Sequence, residues 1–163
     1  MVDALFSLSA TAPTMPSGYD RKRRIGSIAR AGGSINAFVQ FGDMFTFKTP
    51  VRDVIVSDPG TSAVLRTLST PSGIVTTAFG TVSIYHTEAG ATIVYLSSPS
   101  QADVAASYEN LTLLAATSLN YGYAPFQVST DTSARIRSRI NTSSAARSLR
   151  IDTWGWIDTR GRG

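Results

Sequence analysis

Between Ile35 and Leu96 the chain alternates between runs of aromatic and β-branched residues and clusters of turn-forming ones. INAFVQF and MFTFKTPVRDVIV open the series. Phe45 and Phe47 alternate against Thr46 and Lys48 as a half-buried strand requires. Asp58-Pro59-Gly60 reads as a turn. SAVLRTL ends at Pro71-Ser72-Gly73, a longer run covers Ile74 to Thr87, and Glu88-Ala89-Gly90 leads into ATIVYL at 91–96. Short turns between successive runs predict an antiparallel meander.

After Leu96 the apolar spacing changes from two to 3.6. Ser98, Pro99 and Gln101 supply an N-cap, a first-position proline and a capping-box partner. Val104, Tyr108, Leu111, Ala115 and Leu119 then recur as one apolar stripe, with Leu114 beside it. The spacing predicts a helix over 100–120, stopped by Gly122 and Pro125. Beyond it ARIRSRI alternates again, with Ile136 and Ile140 on one face and Arg135, Arg137 and Arg139 on the other. Trp154 and Trp156 are expected on one side of a final strand, where they would bury against a partner.

The fold class expected from this pattern is α+β: an antiparallel β-meander followed by an amphipathic C-terminal-half helix, with extended N- and C-terminal arms. Residues 1–34 form an N-terminal arm with a basic block and a small apolar cluster of Val2, Leu5, Phe6 and Leu8. Residues 35–124 form the meander-plus-helix core, and 125–163 an Arg-rich C-terminal extension.

Composition narrows the chemistry. At 163 residues and 17.3 kDa one domain with arms is expected. Hydrophobic residues make up 42% and charged ones 16%. The charged share is well under the roughly 25% of an ordinary domain, so much of the surface is expected to face other protein. With no Cys, disulfides, thiolate nucleophiles and Cys-ligated metals are excluded. The one histidine, His86, leaves no metal site built on two imidazoles, and its parity with Val82 and Ile84 makes it a sheet residue. No G-x-S-x-G elbow or phosphate-binding loop is present, Gly32-Gly33 reads only as a turn, and Asp53 and Asp58 are separated by an apolar strand. No catalytic residue, cofactor, metal or small-molecule substrate is therefore expected. No apolar run approaches the roughly 18 residues of a membrane span, and the first residues lack the order of a signal peptide, so no membrane partner is expected.

Net charge is +4, and it is unevenly placed: residues 1–19 carry −1, 20–42 carry +4, 43–125 carry −3 and 126–163 carry +4. Thirteen of the 15 basic residues are Arg, whose planar fork grips phosphate in two places and stacks on bases. The candidate RNA contacts are Arg21, Lys22, Arg23, Arg24, Arg30, Arg135, Arg137, Arg139, Arg147 and Arg150. The candidate assembly contacts are Val104, Tyr108, Leu111 and Leu119 on the helix, with Trp154 and Trp156.

The element order of AVLRTLSTPSGIVTTAFGTVSIYHTEAGATIVYLSSPS, read as three strands before a helix over Ala102–Leu119, resembles the coat proteins of small single-stranded RNA bacteriophages, the levivirus-like family. That resemblance implies homodimers that interlock their helices over a continuous sheet, build an icosahedral shell and package single-stranded RNA. It also implies a place in the virion, with host cytoplasm during assembly. The alternative is a jelly-roll coat protein of a small plant or satellite RNA virus, favoured by the basic block 21–24 ahead of the strands. A viral matrix or nucleic-acid-binding protein is a further reading.

Overall fold

A computed structural model describes residues 4–9, 12–115 and 120–160. Its strands are β1 (Arg30–Ala31), β2 (Ser34–Ile35), β3 (Phe38–Phe41), β4 (Met44–Ser57), β5 (Val64–Thr67), β6 (Thr77–His86), β7 (Thr92–Ser97), β8 (Leu113–Ala115), β9 (Asn120–Ser129), β10 (Arg135–Ile140) and β11 (Arg147–Ile157). There is no helix among the described residues, so the α+β expectation is wrong and the chain is all-β.

The strands are not a meander either. A five-stranded sheet runs β3-β4-β11-β6-β9, a four-stranded sheet runs β5-β10-β7-β8, and β1 and β2 form a small hairpin. Neighbours within each sheet are antiparallel. From β4 onward the chain changes sheet at every connection except β7 to β8. With β3 set aside as the hairpin extension of β4, the two sheets read β4-β11-β6-β9 and β5-β10-β7-β8. This is the eight-stranded double-sheet order of a jelly roll. The boundary expected at 124 falls inside β9, and the supposed C-terminal extension supplies β10 and β11, the latter lying between β4 and β6.

Period-two burial explains why these segments are strands. Along β6 every second residue is buried, from Ala78 through Val82 and Ile84 to His86. β10 buries Ile136, Ser138 and Ile140, and β11 buries Leu149, Ile151 and Thr153. The inward rows of both sheets meet in one core with Val94 and Leu96 of β7 and Phe126 of β9. At about 0.8 kcal/mol per buried methylene, this shared face is what holds the two sheets together.

The predicted helix fails for a tertiary reason. Its start signal does form locally: the Ser98 N–H donates to Gln101 Oε1 at 3.0 Å, and the Gln101 N–H donates to the Ser98 carbonyl at 3.1 Å. The chain then bends through a second tight turn at Ser107 and Asn110 instead of propagating helical bonds. β7 would otherwise present an open edge, and Leu113–Ala115 pairs with it in register with Val94, Ile93 and Thr92. Three residues are too few to display a period of two, so the strand is hidden in the sequence. Val104, Tyr108 and Leu111 are exposed rather than buried as a stripe. Ala115 is buried only as part of β8, and Leu119, the last member of the stripe, lies outside the described residues, as does Val2 of the N-terminal cluster.

A second, smaller core lies at one end of the five-stranded sheet. Trp156 stacks on Phe45 with ring centroids 4.9 Å apart and meets Phe38 and Phe47 edge-on or tilted. Ala29 closes it from the N-terminal segment. Residues 24–29 are therefore part of the body and not a free arm. Asp158 fixes them: its carboxylate accepts from Arg24 Nη1 at 2.5 Å, from Ser27 Oγ at 2.7 Å and from the Arg160 N–H at 2.8 Å, and Trp156 Nε1 donates to Ser27 Oγ at 3.1 Å.

Candidate nucleic-acid and assembly surfaces

The sandwich has two outer faces, and the candidate arginines divide between them. On the four-stranded sheet, Arg135, Arg137 and Arg139 do project outward from β10, as their parity requires. Each is already engaged. Arg135 Nη2 lies 2.8 Å from Asp131. Arg137 donates to the carbonyls of Gln101 at 2.7 Å and Pro99 at 2.9 Å. Arg139 pairs with Asp103 at 2.7 Å and donates to the Val104 carbonyl at 3.0 Å. The segment misread as a helix thus lies across this face and takes up two of its three guanidinium groups.

Several other candidates are structural too. Arg147 is 3% exposed, faces inward and bonds Glu88 through Nε at 3.3 Å, so it has no route to RNA. The Ser144 hydroxyl at 2.6 Å, helped by Arg147 and opposed by partial desolvation, holds the Glu88 carboxyl below its ordinary 4.5. Burial pushes the Asp131 carboxyl up, but the Arg135 side chain and the backbone N–H groups of Arg135 and Ser133 outweigh it, leaving a net shift below 3.8. Arg24 serves Asp158, and Arg30 donates to the Gly33 carbonyl of its own hairpin at 2.6 Å. Arg66, absent from the candidates, is drawn inward on the edge strand β5 to Ser138 Oγ at 2.9 Å, where burial lowers its pKa.

Four candidates keep their positions at the surface. Arg21, Lys22 and Arg23 are exposed ahead of the clamped segment. Arg150 projects from β11 on the outer face of the five-stranded sheet and makes no hydrogen bond or ion pair among the described residues, its Nε being buried without a partner.

The two tryptophans part company. A bulge between Thr153 and Gly155 shifts the register of β11 against both neighbours. A one-residue slip turns the following side chains to the opposite face. Trp156 is consequently 0% exposed and closed to any partner, whereas Trp154 is 43% exposed on the outer face. There it lines a cleft of about 430 Å³ with Met44, Phe79, Pro125, Gln127 and Ile157.

Apolar side chains are bare in three separate places. Phe6 is 89% and Leu8 95% exposed in the N-terminal segment. Ile35, Val39 and Phe41 are exposed along β2 and β3 at one edge. Ile55, Tyr121 and Tyr123 are exposed on the outer face of the five-stranded sheet. The tyrosines were not among the sequence candidates; nothing in the sequence spacing shows that Tyr121 meets Tyr85.

His86 is fully buried, with Nδ1 3.1 Å from the Glu88 carbonyl that accepts its proton. Asp53 accepts from Ser69 N–H, Ser69 Oγ and Thr153 Oγ1 at 2.5–2.8 Å, a polar tie of β4 to β11 and to the connection after β5. Among the described residues no three His, Cys, Asp or Glu side chains gather as a metal site would need, and no helix is long and apolar enough to cross a membrane. The chain matches no protein-family model and no curated protein sequence.

Proposed function

We propose that the chain is a jelly-roll coat subunit that assembles with copies of itself into a closed icosahedral shell and packages single-stranded RNA, with no catalytic role. The observation that carries this reading is bare apolar surface on several sides of one small sandwich. A closed shell requires each subunit to meet neighbours on more than one side, while an isolated monomer would expose Phe6 and Leu8 to water at a cost. The low charged fraction supports the same conclusion. The jelly roll serves capsids, lectins and cupins alike, so the fold by itself selects none of them. The version proposed is the jelly-roll coat; a phage-type dimer would need the helix it interlocks.

RNA contact is assigned to Arg21 and Arg23 of the exposed basic segment, with Lys22 between them, and to Arg150. The subunit belongs in the virion, with host cytoplasm as the place of assembly. Light scattering coupled to size exclusion, read at 260 and 280 nm, tests the proposal. The expected result is a particle of many copies with nucleic-acid absorbance. A stable monomer or lone dimer at physiological salt, free of nucleic acid, overturns it.

A further inference from the structure

The geometry points to a base-stacking site for single-stranded RNA on the outer face of the five-stranded sheet, formed by Tyr85, Tyr121 and Tyr123 with Arg150 as its phosphate contact. The inference rests on the RNA-packaging reading and gives it a second surface, apart from the N-terminal basic segment.

Strand register builds the site. β6 and β9 place Tyr85 directly opposite Tyr121 and Ser83 opposite Tyr123, while β11 places Arg150 opposite the other side of Ser83. All four positions therefore share one face. The Tyr85 and Tyr121 rings are 4.6 Å apart at their centroids and tilted by 30°. Tyr123 is 76% exposed two residues further along β9. Arg150 and Tyr85 stand on the diagonal of neighbouring strands, a separation that long side chains bridge.

Three features favour RNA over a protein partner on this patch. The rings are tyrosines, which offer a π-face to any base and keep a polar tip in water. The other outward positions of β6 beside them, Ser83 and Thr81, are small and polar and add no apolar surface to the patch. The cation beside them has no anion among the described residues, unlike Arg52, which is paired with Asp152 at 2.8 Å on the same sheet. An unpaired guanidinium next to exposed rings is complementary to a base followed by its phosphate, whereas an apolar subunit contact would leave that charge desolvated.

The test uses the full chain, stripped of nucleic acid and kept disassembled, titrated with a 12-nucleotide oligouridylate over a range of salt. Tyr121→Ala/Tyr123→Ala weakens binding about tenfold or more at fixed salt and leaves the slope of log affinity against log salt unchanged. Tyr121→Phe/Tyr123→Phe keeps the rings and stays within about twofold of the parent, which separates stacking from loss of fold. Arg150→Gln flattens the slope by about 0.7, the share of one phosphate on a single strand. Equal affinity of parent and Ala variant overturns the stacking site while leaving packaging by the basic segment intact. Failure of the parent to bind overturns both this inference and the packaging on which it rests. An Ala variant that binds RNA normally but no longer forms particles reassigns the face to subunit contact.

Discussion

The two outer faces of the sandwich both carry arginines on paired strands, yet they are opposite in character. On the four-stranded sheet the guanidinium groups of β10 are tied to acids and carbonyls of the chain itself. On the five-stranded sheet Arg150 shares a face with the exposed Tyr121 and Tyr123 and has no anion among the described residues to neutralise it. A row of alternating arginines therefore says which way the side chains point and nothing about whether their charge is available. Availability is decided by the loop that crosses the face, and here that loop is the stretch 98–112.

The bulge in β11 makes the sharpest test of inside against outside. Trp156→Ala empties a fully buried aromatic site and is expected to cost about 3–5 kcal/mol, a large part of a domain's total. Trp154→Ala, two residues away on the outer face, is expected to cost under about 1 kcal/mol. Denaturant titration of the two variants measures both, and equal costs would mean that the parity does not switch at the bulge. Gly155→Ala comes next. A Cβ there would lie 1.9 Å from the Phe45 carbonyl oxygen and 2.8 Å from the Phe79 ring, and the backbone atom has little room to give. An overpacking cost of about 1–3 kcal/mol or more follows, read in the same titration.

Charge availability gives a smaller effect with a clean contrast. Replacing Arg135, Arg137 and Arg139 together by Gln should leave the salt slope of RNA binding unchanged, because these groups already have partners, while each lost ion pair costs under about 1 kcal/mol. Arg21→Gln/Arg23→Gln should flatten the slope by about 1.4. A flattened slope in the β10 triple variant would break the comparison between the faces. The smallest effect is in acid. The Asp131 carboxyl is held below its ordinary 3.8 and Glu88 below 4.5. As pH falls past those values the unfolded chain takes up protons before the folded one does, so their contribution is present above that range and is lost below it. Thermal melts between neutral pH and about pH 3 should show the decline, and Asp131→Asn should make it shallower.

Much of the strand pattern was legible in the sequence. Phe45 and Phe47 are buried against Thr46 and Lys48, Ile136 and Ile140 face the core, and Asp58-Pro59-Gly60 turns with positive φ of 53° at Asp58 and 92° at Gly60. Such features are local, since parity and turn chemistry act over a few residues. The pairing of strands was not legible. β4 and β11 meet because both present apolar rows to one core, and nothing local distinguishes that pairing from a meander. The stretch 98–120 misled for a related reason: a capping motif and a 3.6-residue stripe were both present, but the unpaired edge of β7 offered more than a solvent-exposed helix could. The tyrosine patch was invisible because Tyr85 and Tyr121 become neighbours only through the register of β6 on β9. The tryptophan pair was misjudged because parity counting assumes an unbroken ladder.

The place of β11 in the sheet also governs the order in which the molecule can be made. It lies between β4 and β6, and its side chains reach partners one hundred residues earlier in the chain, as Arg52 does with Asp152. During synthesis β4 and β6 leave the ribosome first and have no common neighbour until β11 emerges. Pairings of such long reach place a chain among the slow folders, in the millisecond-to-second range. Through that interval the inner rows and unpaired edges of β4 and β6 are open to the wrong partner, including the same strands of another nascent copy. The chain thus has to complete its last strand before its inner rows meet those of another copy, and crowded synthesis on one messenger is the condition under which that order is hardest to keep.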